Sequence, residues 1–134
     1  MSRENVEVVL RSFDVWNEGD VDAIRGLYTE DAVIQTPGWG LTKLGETFEG
    51  DDPIGRWVAQ IREAWAKVRF ESERIFEGDD LVVSSYRVVP VGRRSGAEVV
   101  GTRAAVYRIR DGKIASEHVY LDLDEALEAA GLRE

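Results

Sequence analysis

The chain has 134 residues, 43% hydrophobic and 32% charged, which suits one globular domain, 1–134, able to bury about two-thirds of its unfolded surface. Its formal charge of −9 is spread along the chain without a basic stripe, which argues against a nucleic-acid partner. A single His and no Cys leave none of the usual zinc sets and exclude disulfides, and no apolar run approaches the ~20 residues of a membrane helix, so no metal, cofactor or membrane is expected.

Val6, Val9, Leu10, Phe13 and Trp16 recur at helical spacing and predict an amphipathic helix from Arg3 to Glu18, stopped by Gly19. The acids in Met1–Glu7 are unlike a secretory signal, so cytoplasmic localisation is the default expectation. Asp20 caps a second helix with an apolar face of Val21, Ile24, Leu27 and Tyr28, completing a helical hairpin. Ala32 to Thr36 read as a short strand closed by Pro37. Gly38, Gly40, Gly45 and Gly50 then mark a loop with little regular structure, in which Trp39 is a candidate cover for a cavity mouth.

Asp52 as N-cap and Pro53 at the first helical position start a third helix, with Trp57, Ile61 and Trp65 stacked along one face. From Val68 the period becomes two: Val68, Phe70 and Phe76 alternate with Arg69, Glu71 and Glu73, and Gly78-Asp79-Asp80 turns into a strand from Leu81 to Val91. Gly92 to Gly96 make the next turn. Ala97 to Arg110 form a long strand, and Asp111-Gly112 is a two-residue hairpin signal before Lys113 to Leu121. Asp122 with Glu125 reads as a capping box for a final short helix, and Gly131 sits where a C-terminal cap belongs. The order predicts an α+β fold, a curved antiparallel meander wrapped around helices, with room for an internal cavity.

The helical hairpin, the run Leu27-Tyr28-Thr29-Glu30-Asp31-Ala32-Val33, the third helix and the strands around Arg108-Ile109-Arg110-Asp111-Gly112-Lys113-Ile114 resemble the SnoaL-like branch of the NTF2-like superfamily. The ending Asp124-Glu125-Ala126-Leu127-Glu128-Ala129-Ala130-Gly131-Leu132 is similar to small bacterial members of that branch. The resemblance covers essentially the whole chain and implies an NTF2-like cone with three helices in the N-terminal half. It does not by itself imply an activity, because the cone hosts cyclases, isomerases, epoxide hydrolases, dehydratases and binding modules. Carried over by local landmarks, the base, tyrosine and protonated acid of the ketosteroid isomerases fall on Thr36, Ser12 and Ala105. The epoxide-hydrolase acids fall on Ala105 and Val119. Neither catalytic set is expected here.

The resemblance turns Arg103, Ala105, Tyr107 and Val119 toward the cavity. Arg103 is then a candidate anchor for a carboxylate or enolate, or else the partner of an acid such as Glu71 or Glu73, and Arg87 has the same two readings. Trp16, Tyr28 and Trp57 are candidate walls. His118 and Asp122 are the remaining candidates for acid–base work. Alternation from Val119 points His118 to the opposite face, and Asp122 is most simply a helix cap. Glycine patterns fit neither a dinucleotide fold nor a phosphate loop. The expectation is a protein that binds a hydrophobic small molecule carrying a carbonyl or anionic group, the alternative being a cofactor-independent lyase, isomerase or cyclase. A homodimer is expected through an uncovered outer sheet face offering Val82, Tyr86, Val88, Val106 and Tyr120.

Overall fold

The computed structural model describes residues 2–37, 46–92 and 101–132. The elements run α1 (Ser2–Glu18), α2 (Val21–Arg25), β1 (Tyr28–Thr36), β2 (Glu46–Phe48), α3 (Pro53–Ala64), β3 (Trp65–Glu77), β4 (Leu81–Gly92), β5 (Gly101–Arg110), β6 (Lys113–Tyr120) and α4 (Leu123–Ala130). Trp39 and the turn expected over 93–96 lie outside the described residues, as does the start of the strand expected from Ala97.

Local chemistry sets the helix ends. Gly19 ends α1 at φ +81°, a conformation that strains other residues, and the Asp20 carboxylate accepts from the backbone N–H of Asp22 and Ala23 to open α2. Helix α2 is only five residues long because Gly26 caps it, so Tyr28 does not continue its apolar face but begins β1. Asp52 receives the Gly55 N–H at 3.2 Å, and its two oxygens accept from Arg25 at 3.1 and 2.9 Å, tying α2 to α3. A Cβ on Gly55 would collide with that pair, which accounts for a glycine inside α3. Helix α3 ends at Ala64, so Trp65 belongs to β3 and is not on the helix along which it was expected to follow Trp57 and Ile61.

The six strands form one curved sheet in the order β2-β1-β6-β5-β4-β3. Strands β3 to β6 are the expected antiparallel meander, but β1 joins β6 in parallel, so the sheet is mixed. The glycine-rich stretch expected to lack regular structure contributes the short edge strand β2.

Alternation along the strands divides the sheet into two faces. Inner residues Ala32, Ile34, Val82, Tyr86, Val88, Ala105, Tyr107, Ile114 and Val119 join Val9, Phe13, Trp57 and Val58 of α1 and α3 in the main core. Outer residues Leu81, Val83, Ala104 and Val106 pack with Ala126 and Leu127 of α4. Val82, Tyr86 and Val88 therefore do not belong to the outer face, where they were expected. Val106 and Tyr120 do, but α4 of the same chain packs there, so an uncovered face at these residues is not available to support a dimer. A bulge at Ser72/Arg74 makes Glu73 the extra residue of β3 and reverses the alternation beyond it. Phe70 faces inward, whereas Phe76 packs outward beside α4.

Candidate functional site

Strand β6 places Glu117 on the inner face, directly opposite Tyr107 of β5 and two residues from Val119. The carboxyl is buried, with the residue 5% exposed. Tyr28, at the start of β1, donates its hydroxyl to Glu117 Oε1 at 2.6 Å, and the Trp16 indole N–H of α1 donates to that hydroxyl at 3.2 Å. Around this chain Ser12, Phe13, Trp16, Trp57, Phe70, Tyr86 and Tyr107 line, with Glu117, a cavity of about 20 Å³. That volume holds one water-sized group. The rings brace one another edge to face: Phe13–Tyr86 at 5.4 Å between centroids, Trp16–Trp57 at 4.9 Å, Trp16–Phe70 at 5.7 Å and Phe70–Tyr86 at 6.2 Å.

Burial pushes the Glu117 carboxyl up to about 7, against the smaller stabilisation of its charge by the Tyr28 hydroxyl. Burial first, and the Glu117 charge second, push the Tyr28 and Tyr107 phenols well up, and the same two causes raise Tyr86, where Arg103 opposes them. Near neutral pH the chamber therefore holds an acid that exchanges its proton while the surrounding phenols keep theirs. The acid form can donate to an acceptor, and the carboxylate can take a proton or face a cation. Among the described residues, no Lys, Arg or His forms an ion pair with Glu117.

A larger groove of about 210 Å³ adjoins this chamber between the end of α1, α3 and β3, with Ile24, Val58, Ile61 and Val68 among its walls. Trp16 and Phe70 line both spaces, which meet at these two side chains. The Asn17 side chain ties the end of α1 to β3 there: its amide nitrogen donates to the Phe70 carbonyl at 2.8 Å and its oxygen accepts the Phe70 N–H at 2.7 Å. Strand β3 is at the sheet edge, so this amide pairs backbone groups that have no further strand beside them.

Of the residues expected at a site, Trp16, Tyr28, Trp57 and Tyr107 come together at this chamber, and Val119 lies in the same inner core. Arg103 is opposite Tyr86 in the β4–β5 ladder, with Nη1 donating to the Thr102 carbonyl at 2.7 Å. Arg87 does not reach the chamber. It is exposed on the other face, 3.4 Å from Glu71, because alternation from Tyr86 turns it outward. His118 also faces outward, stacked on Tyr120 at 4.1 Å between ring centroids, with Nδ1 2.9 Å from the tyrosine hydroxyl. Asp122 accepts the Glu125 N–H at 2.9 Å as the N-cap of α4. Neither is placed for acid–base work at the chamber. Ser12, Thr36, Ala105 and Val119 are all buried, and Ser12 donates its hydroxyl to the Val9 carbonyl.

Glu117 was not among the sequence candidates. The signal was present, since the alternation that turns His118 away from Val119 turns Glu117 back toward it. Among the described residues, no cluster of three or more His, Cys, Asp or Glu is placed to hold a metal ion, and no helix is long and apolar enough to cross a membrane.

Residues 9–117 match the model of the SnoaL-like domain. No curated protein gives a significant match. Among solved structures, TerC co-crystallised with polyporic acid is 22% identical, with a TM-score of 0.77 over 93% of this chain and 98% of that one. A hypothetical protein of ketosteroid isomerase-like fold from Catenulispora acidiphila DSM 44928, in complex with trimethylamine, is 20% identical, with a TM-score of 0.74 over 95% and 94%. SalBIII, an epoxide hydrolase/cyclase-like enzyme of pyran ring formation in the polyether salinomycin, is 24% identical, with a TM-score of 0.74 over 91% and 93%. At these identities the structural matches speak for the fold, while the family match spans most of the sequence, and the chain belongs to the SnoaL-like domain family.

Proposed function

We propose that this protein binds a small, mainly apolar molecule across the inner chamber and the adjoining groove, with one polar group of the ligand against Glu117 and Tyr28. The observation that carries this reading is the burial of an ionisable carboxyl among aromatic rings beside a void. A core that only had to be filled would be better served by an apolar side chain, because burying a carboxyl has a desolvation cost. Proteins of the same fold crystallised with polyporic acid and with trimethylamine lend support to a small-molecule site. A carboxylate held by Arg103 is disfavoured, since its charge would share the inner face with Glu117. A ligand at about 100 times its dissociation constant stabilises the folded state by roughly 2.7 kcal/mol, visible as a melting shift. Small ketones, alcohols and amines should shift the wild type and shift Trp16→Ala less; equal shifts in both proteins would place binding elsewhere.

A second reading is a cofactor-independent lyase, isomerase or cyclase with Glu117 as the proton-transfer group. It is favoured by the position of that carboxyl's titration near 7, where an acid or base works best at neutral pH. In this reading the Glu117 carboxylate takes a proton from the carbon next to a bound carbonyl. Ser12, Thr36, Ala105 and Val119 stand where the isomerase and hydrolase groups fall, so neither of those activities is expected. Deuterium exchange into a bound ketone in heavy water, lost in Glu117→Gln, tests this reading; exchange no faster than in buffer would rule it out for that ketone.

A further inference from the structure

We propose that the group received at Glu117 is a protonated primary amine, so that the ligand is a small hydrophobic ammonium with its head in the inner chamber and its body in the groove beyond Trp16 and Phe70. This inference rests on the reading that the chamber binds a ligand. Four features converge on it. First, Glu117 is a buried carboxyl whose hydrogen-bond partner, Tyr28, is neutral, and no cationic side chain pairs with it among the described residues. A buried carboxylate without a counter-ion loses several kcal/mol of hydration, and an ammonium supplies the missing charge. Second, the void of about 20 Å³ fits an –NH3⁺ head, which is close to water in size, whereas a carboxylate or a trimethylammonium is larger. Third, the walls are aromatic: Trp16, Phe70, Tyr86 and Tyr107 line the void, and a cation gains from any of these rings whose face it meets. Fourth, an ammonium has three donors and no acceptor, and the chamber offers carboxylate and phenol oxygens to receive them.

Of the charged and titratable groups facing Glu117, three are neutral, and the one cation, Arg103, opposes an ammonium from the Tyr86 end. Tyr28 from β1, Tyr86 from β4 and Tyr107 from β5 are phenols held neutral by burial. Arg103 of β5 stands at the Tyr86 end, with its Nη1 turned to the Thr102 carbonyl. The net charge of −9 also favours the approach of a cation.

Calorimetric titration of the full chain with 2-phenylethylammonium, with its neutral counterpart 2-phenylethanol, with phenylacetone and with phenylacetate tests the assignment. At pH 8 the amine should bind about 10-fold or more tighter than the alcohol, and phenylacetate weakest. Between pH 8 and pH 5.5 the amine should lose about 30-fold in affinity as Glu117, titrating near 7, takes up its proton, while the alcohol changes little. Glu117→Gln should abolish the amine preference at pH 8. The wild-type pH dependence tests the same point without relying on the variant's fold. If the alcohol or ketone matches the amine and still depends on Glu117, the chamber binds ligands but the amine assignment is wrong. If no compound binds, the binding reading falls with it. An amine preference that survives Glu117→Gln or ignores pH would place the ammonium at another acid and overturn the proposal.

Discussion

On its outer face the sheet sets Leu81, Val83, Ala104 and Val106 against Ala126 and Leu127 of α4, an aliphatic contact that closes on itself. On the inner face, the neighbouring residues of the same strands set Tyr86, Tyr107 and Glu117 against Ser12, Phe13 and Trp16 of α1, leaving a void. Strand alternation alone separates the two, so each is built from positions one residue apart. The outer cluster is built on small and branched side chains, with Phe76 and Tyr120 packed against it. The inner face instead uses flat rings and a buried acid, which pack less completely and place a titrating group where water is scarce. The difference assigns stability to one side of the sheet and chemistry to the other.

The largest expected effect is on the outer side. Leu127→Ala should destabilise the protein by about 2–5 kcal/mol in chemical denaturation, with ligand affinity unchanged among the molecules that remain folded. A comparable loss of affinity would mean that the two faces are coupled.

Glu117→Gln should act in the opposite direction. Burial raises the carboxyl from its reference value of 4.5 to about 7, so the folded state binds this proton more tightly than the unfolded state. The group therefore favours folding most below pH 4.5, and that contribution is lost as pH rises through about 7. The difference of roughly 2.5 units corresponds to about 3 kcal/mol. The variant should thus match the wild type near pH 4 and be more stable by up to about 3 kcal/mol at pH 8, checked by denaturation at both values.

Smaller effects mark the residues that do not reach the chamber. Asp122→Ala removes the cap of α4 and should cost about 1 kcal/mol without altering affinity for any inner-face ligand. Arg87→Gln breaks an exposed pair with Glu71 and should change stability by less than ~1 kcal/mol, again leaving binding intact. A clear loss of binding in either variant, measured by titration calorimetry, would return that residue to the site.

The contrast between the faces was only partly legible in the sequence. Helix and strand order, the Asp-Gly hairpin at Asp111-Gly112 and the caps at Asp20, Asp52 and Asp122 are local signals, and the local geometry follows them. The parallel pairing of β1 with β6 is a long-range event, with Ile34 meeting Glu117 across more than half the chain, and no local pattern specifies it. The outward turn of Phe76 depends on an unpaired Glu73 that nothing in the sequence around it announces. Trp16 and Trp57 were named from helical faces, Tyr28 from a helical face that the structure replaces with β1, and Tyr107 from the alternation the resemblance implied, and all four lie around Glu117 on the inner side. Glu117 was hidden by its type: an acid in a strand of a chain this acidic reads as solvent-facing, and parity relative to Val119 was the clue to the contrary.

The central claim is that Glu117 is a buried acid held by Tyr28 among aromatic rings rather than a surface carboxylate. Its most direct test is a carbon-detected NMR titration of the Glu117 side-chain carboxyl, identified by its loss in Glu117→Gln. A midpoint near 7 is expected, lowered on saturation with 2-phenylethylammonium because a bound cation favours the charged form. A midpoint in the ordinary glutamate range of about 4.3, unmoved by the amine, would contradict both the buried chamber and the ligand assigned to it.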